Sequence, residues 1–575
     1  MITRTEKMTL STNAQTWVEQ ALATMSLEEK VGQMLIVDFA AIFTNREHEN
    51  WQRITRLIRE QHIGGFILAG GSLYSIAMLT NELQGLSKWP LLVNADMETG
   101  ATFFQPWQRA RGRAPDLPAF LPGGGTAFPP LMAIGATRSD EFAYEIGRLT
   151  ALEARAIGIH WTNAPVLDIN NNPRNPIINT RSFGEDPELV ARLGAGFVAG
   201  TQASGVLATM KHFPGHGDTD SDTHIELPVL NLETNRLHAV ELLPFKAAIK
   251  AGAKAAMTAH IAFPRFDASG RPATLSYKVV SQLLRQELAF DGIVATDAFT
   301  MQGIADHFDP AEAAIIAAQA GVDALLIPVD TPRTHRRLVQ AVRSGELPLQ
   351  AVEAAARRLL TMKAGLGLHE LRTVDINRIA DLVNTPAAQQ FAQNVASAAI
   401  TLLEDDGAIL PLPNDRPLKI VAGIISNSAA GNEGEHLAEQ LAARTHDVAS
   451  YLLSAGMSEA LLAQALVQCR EADVVMFELH LTVGAWKGAL RLPPQALQFL
   501  QVAREAHKPL IAISFGDPYM FEYLPPMSVS LCAYGGGRLM ERAAALALLG
   551  DTAIQGKLPV TIPGRFAFGH GLQRA

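Results

Sequence analysis

The chain is poor in cysteine: only Cys469 and Cys532 occur in 575 residues, so neither a disulfide framework nor a cysteine-built zinc site is available. A reducing compartment is compatible with that count. Charged residues are also sparse, at 18% against 48% hydrophobic, a balance that excludes a disordered chain and points to a folded, enzyme-sized protein. The 48 basic and 57 acidic residues leave a net charge of -9 without long runs of one sign, which argues against a nucleic-acid binder steered by phosphate. Long apolar runs are missing as well. The uncharged stretches 61–81, 117–137 and 382–403 are each interrupted by glycine, proline or polar side chains, so no membrane span is expected. Residues 1–20 lack the apolar core of a secretory signal, and with Met1 as the start the expectation is a cytoplasmic protein.

What is present is alternation. Short apolar segments at 34–38, 65–68, 91–94, 160–166, 207–210, 255–258, 292–296 and 324–327 alternate with longer amphipathic stretches such as 140–157, 188–203, 237–251 and 311–320. Eight strand–helix units fit a (β/α)8-type TIM barrel. Periodicity weakens after 349–364, which sets the division as a barrel over 1–370, a linker over 371–386 and a second domain over 387–575. There, strands at 419–425, 473–477 and 510–514 alternate with helices at 389–399, 435–444, 458–471 and 495–506, as in a doubly wound αβα sandwich. Residues 103–125, rich in Arg, Pro and Gly, read as a long loop, a candidate lid.

In a strand–helix barrel, functional groups gather where the strands end at their carboxyl side. Asp96, Asp168, Lys211 with His212, His260 and Asp297 all follow candidate strands, so five strands deliver polar groups to one rim. Singly, each is also what a cap or turn uses. The densest segment is KHFPGHGDTDSDTH at 211–224, with three histidines and three aspartates in fourteen residues. A calcium loop fails twice, with Thr223 at the sixth position and Val229 at the twelfth. Zinc on His212 and His216 is disfavoured, because Pro214, Gly215 and Gly217 oppose the helix that spacing would use. Acid–base work remains: Asp222 and His224 form a candidate pair in a glycine-rich loop, since a carboxylate fixes an imidazole's tautomer and favours its charged form. Asp297 is a candidate covalent nucleophile. Asp168 and Arg181, in NAPVLDINNNPRNPIINTRSFGEDP, are candidates to anchor hydroxyls of a polar ligand or to pair structurally with other loops.

Together, KHFPGHGDTDSDTH, TRSFGEDP at 180–187, MTAHIAFP at 257–264 and TDAFTMQGI at 296–304 resemble glycoside hydrolase family 3, and within it the bacterial β-N-acetylglucosaminidase branch. MSLEEKVGQML at 25–35 and FAFGHGL at 566–572 extend the likeness over nearly the whole chain. The resemblance implies a (β/α)8-like barrel followed by an αβα sandwich. It implies Asp297 as nucleophile, Asp222 and His224 as the acid/base dyad, and Asp96, Arg181, Lys211, His212 and His260 as holders of the terminal sugar, with Asp168 in the same loop set. Retaining hydrolysis through a glycosyl–Asp297 ester, without cofactor or metal, is the implied chemistry, with an amino-sugar oligosaccharide from peptidoglycan fragments or chitin as substrate. The chain departs from the family pattern in DMETG at 96–100, where DQEGG is common, in the 103–125 insertion, and in DTH where DSH is frequent. A phosphorylase, transglycosylase or β-glucosidase of the same family, a silent sugar-binding protein, and a nucleotide role for the second domain through YGGGR at 534–538 stay open.

Overall fold

The computed structural model describes residues 10–42, 45–102, 124–223, 227–428, 431–484 and 490–575. They form two compact units: the first comprises residues 1–126, 140–169 and 190–385, the second 127–139, 170–189 and 386–575. The stretch 1–370 thus sends two segments into the second unit.

Eight parallel strands build the first unit: β1 (Leu35–Ala41), β2 (Gly65–Gly71), β3 (Leu92–Ala95), β4 (Trp161–Thr162), β5 (Leu207–Phe213), β6 (Ala255–Thr258), β7 (Ile293–Thr296) and β8 (Leu325–Leu326). Neighbours follow chain order from β1 to β7, β8 pairs with β1, and an Ala295–Ala324 bridge joins the β7 and β8 sides, so the sheet is a nearly closed barrel. Successive side chains of a strand point to opposite faces, and two apolar layers result. Ile36, Ile67, Leu92, Trp161, Leu207, Met257, Ile293 and Leu326 fill the interior, while Val37, Phe66, Val93 and Val294 meet the surrounding helices. The indole of Trp161, fully buried, donates to Thr209 Oγ1 at 2.6 Å, so its N–H is satisfied inside the barrel.

Local chemistry sets the helix ends. Asp309 caps Pro310–Ala320 by accepting from Ala311 N, and the helix stops at Gly321, whose φ of +103° suits glycine. The single helix expected over 237–251 is two helices, Thr234–Ala239 and Leu243–Lys250. Pro244, near the second start, brings no N–H and cannot continue a preceding helix.

The second unit holds a six-stranded sheet of β9 (Thr401–Asp405), β10 (Lys419–Ser426), β11 (Asp447–Leu452), β12 (Val474–His480), β13 (Leu510–Ser514) and β14 (Val529–Cys532), ordered β11-β10-β12-β13-β14-β9. All neighbours are parallel except β14 and β9. No described helix is long and apolar enough to cross a membrane.

Candidate active site

The barrel's strands carry their chemistry at the carboxyl ends. β5 runs into Lys211 and His212, whose mutual peptide is cis, as are Ala164–Pro165 and Phe213–Pro214. Lys211, 2% exposed, places Nζ 3.2 Å from Asp96 Oδ1 and 2.7 Å from Glu98 Oε1, both just beyond β3. One buried ammonium therefore holds two carboxylates that would otherwise repel.

Asp168, fully buried beyond β4, accepts His212 Nδ1 at 2.6 Å and backbone N–H groups from His212 at 3.1 Å and His216 at 2.7 Å. Burial pushes its carboxyl up, but the charge and hydrogen bonds of His212, together with His216, outweigh that and hold it below its ordinary value. With Nδ1 donating to Asp168, Nε2 of His212 is left without a hydrogen-bond partner among the described residues. Asp168 is thus a positioning carboxylate: it fixes the His212 ring and pins the base of the loop carrying Asp222.

That loop is tied down along its length. His216, 2% exposed, meets Thr219 Oγ1 with Nδ1 at 3.0 Å and Thr223 Oγ1 with Nε2 at 3.2 Å. Gly217 lies so close to Ile169 that a Cβ would stand 1.7 Å from its carbonyl oxygen. Gly303 N donates to Thr223 O at 3.3 Å, joining the loop to the segment that follows β7. Asp222 is buried; His224 lies outside the described residues.

Asp297 is the residue after β7, half-buried, with Oδ1 accepting its neighbour's N–H from Ala298 at 2.7 Å. Thr296 Oγ1 accepts from Leu326 N at 3.0 Å and Phe299 N donates to Leu326 O at 3.0 Å, so β8 holds this segment on both sides of the carboxylate. His260, beyond β6, meets Thr274 Oγ1 with Nδ1 (2.8 Å) and donates from Nε2 to Ala298 O (3.2 Å). Through Nε2 it buttresses the Asp297 segment. Arg181 belongs to the second unit, on the turn Asn179–Arg181, where its Nη1 donates to Ile177 O at 3.1 Å. Among the described residues no group of three or more His, Cys, Asp or Glu could hold a metal ion.

Residues 26–362 match the glycosyl hydrolase family 3 N-terminal domain model, and residues 400–568 match that of its C-terminal domain. The chain belongs to glycoside hydrolase family 3. It is 28% identical over 561 residues to a β-N-acetylglucosaminidase/β-glucosidase of Cellulomonas fimi, covering 95% of each chain. Its fold matches a family 3 β-N-acetylglucosaminidase from Paenibacillus sp. str. FPU-7 with a TM-score of 0.80 and 31% identity, over 94% of this chain and 99% of that one. A β-glucoside phosphorylase superposes with a TM-score of 0.82 and 25% identity, over 96% and 97%.

In this family 3 hydrolase two functional side chains escaped sequence reasoning. Glu98 keeps the glutamate of the family's DQEGG between the departures Met97 and Thr99, and that match, with the charge beside Asp96, was its signal. His216 entered the sequence reading only as half of a disfavoured zinc pair; hydrogen bonds to two threonines make it a brace for the loop.

Proposed function

We propose that the protein is a retaining exo-β-N-acetylglucosaminidase that removes terminal GlcNAc from peptidoglycan fragments or chitooligosaccharides. Asp297 attacks the anomeric carbon while His224, protonated and oriented by Asp222, gives its proton to the leaving oxygen. The neutral imidazole then takes a proton from water, which cleaves the glycosyl–Asp297 ester and leaves net retention. The charged pairs around Lys211 and the Nε2 edge of His212 supply polar groups for sugar hydroxyls. The observation that carries this reading is the Gly303–Thr223 hydrogen bond, which ties the loop bearing Asp222 to the segment following Asp297. The β-N-acetylglucosaminidase naming of the Cellulomonas and Paenibacillus proteins supports the acetamido sugar.

Initial rates on aryl β-N-acetylglucosaminide and aryl β-glucoside, with Asp297→Asn as background, test the reading. Preference for the acetamido sugar and a fall of about three or more orders of magnitude in the variant are expected. Equal or greater glucosidase activity overturns the substrate assignment. The phosphorylase neighbour favours a second reading in which phosphate intercepts the ester, and sugar 1-phosphate formed on adding phosphate would identify it. A cytoplasmic location, with recycling of imported fragments, belongs to the same proposal; activity confined to the culture medium would refute it.

A further inference from the structure

The amino-terminal rim of the barrel, at the opposite strand ends from Asp297, carries a charged cluster that the hydrolytic chemistry does not use. Asp323, 1% exposed and two residues before β8, accepts Val294 N at 2.8 Å and pairs with Arg285. Arg285 also donates from Nη1 to Gly292 O at 2.5 Å and Phe290 O at 3.2 Å, so it latches the start of β7. These contacts satisfy the rim with one arginine and one carboxylate. A second arginine is nonetheless present: Arg358 Nη1 donates to Asp323 Oδ1 at 2.8 Å. Its remaining N–H groups have no hydrogen-bond partner among the described residues, and its side chain is 34% exposed.

Beside this pair lies a cavity of about 220 Å³ that both guanidiniums line. Ser281, Gln286, Val322 and Asp323 line it too, and the rest of the wall is small. Ala351 and Ala354 lie on the face of the helix Leu349–Gly365 that also presents Arg358, at spacings that align side chains, and Ala318 and Gly321 complete the wall from the adjoining helix end. At Gly321 a Cβ would stand 2.6 Å from Ser281 Oγ. Two guanidiniums thus share one carboxylate at the edge of unfilled space, with exposed Asp291 acting on Arg285 less than either Asp323 or Arg358 does. The unshared planar donors of Arg358, facing a recess, match an oxyanion, which a guanidinium binds through two parallel hydrogen bonds.

We propose that this cavity binds a small oxyanion of the phosphate or carboxylate class, held by Arg358 with Arg285 behind it. The site is separate from the catalytic rim, and its occupant bridges the helix Leu349–Gly365 to the start of β8, stabilising the barrel from below.

Thermal unfolding and calorimetric titration of the full chain with inorganic phosphate, acetate and chloride at matched ionic strength test this. Saturable stabilisation by phosphate or acetate beyond that of chloride is expected, and the better ligand distinguishes a tetrahedral from a planar occupant. Arg358→Gln removes the free donors, and Ala354→Leu fills the cavity while keeping both arginines. Each is expected to weaken binding about tenfold or more and to keep wild-type hydrolysis rates in anion-free buffer, which also reports correct folding. A response equal to that of chloride, or a wild-type response retained by either folded variant, overturns the proposal. If Ala354→Leu fails to fold, the half-exposed Arg358→Gln decides alone.

Discussion

Replacing Asp168 by asparagine keeps the shape of the side chain while changing what it can accept. Oδ1 of the carboxylate receives the backbone N–H groups of His212 and His216, at 3.1 and 2.7 Å, and an amide oxygen in its place still accepts both. The other oxygen accepts His212 Nδ1 at 2.6 Å, and there the amide presents N–H instead. The imidazole must then accept at Nδ1 and carry its proton on Nε2, the edge left for a ligand. One charge-assisted hydrogen bond is replaced by a neutral one, so the expected loss of stability is about 1–2 kcal/mol. A reversed Nε2 is expected to lower kcat/KM about ten- to a hundredfold. The folded carboxyl is held below its ordinary 3.8, so its contribution is present above that pH and lost as pH falls through the folded value. The stability gap between wild type and Asp168→Asn should therefore narrow below about pH 4. Urea unfolding at several pH values, with initial rates on aryl β-N-acetylglucosaminide, measures both effects. A variant within about 0.5 kcal/mol of wild type and equally active would refute the positioning role.

Lys211→Met leaves Asp96 and Glu98 without their shared ammonium, and kcat/KM on the same substrate is expected to fall about tenfold or more; unchanged KM and kcat would remove Lys211 from the site. Gly217→Ala drives a Cβ into Ile169 O, so a loss of about 1–3 kcal/mol in stability and a larger fractional loss of turnover are expected, read by thermal unfolding and initial rates. Asp517 in the second unit is buried, which pushes its carboxyl from 3.8 to about 6. Its contribution to stability is then full below 3.8 and is lost as pH rises through about 6. Asp517→Asn, which keeps an oxygen for Tyr519 N, is expected to gain up to about 3 kcal/mol at pH 8, the rise of 2.2 pH units at 1.36 kcal/mol each, and nothing below pH 4. A gain independent of pH would contradict that origin.

All eight barrel strands were legible because each is an apolar run buried on both faces, a pattern that needs no partner to be recognised. β4 keeps only Trp161–Thr162 of the expected 160–166, where Pro165 brings no N–H to the ladder. In the second unit, β9, β11 and β14 went unread. β11 is a mostly exposed edge strand, DVASYL, whose apolar residues are interrupted by Ser450, and β9 runs antiparallel at the other edge, so neither carries a continuous apolar signal. β14 is four residues long. At the site, positions after strands could be read because the barrel dictates where they open. The partners could not: that Asp168 would be sealed behind His212, and that His216 would meet Thr219 and Thr223, depends on how one loop folds back upon itself.

The two compact units are not successive stretches of chain, and this bears on how the protein is made. Residues 127–139 and 170–189 leave the ribosome long before the sheet with which they fold, which begins at Thr401. Met132, Ala133 and Ala136 join the apolar cluster of the second unit. During synthesis these side chains must wait for more than 250 later residues, exposed or chaperoned, before their partners exist. Cutting the gene at the 371–386 linker would make that wait permanent. The amino-terminal product would keep two segments whose binding surface had been deleted, and a soluble, active barrel calls for redesign of both segments rather than simple truncation.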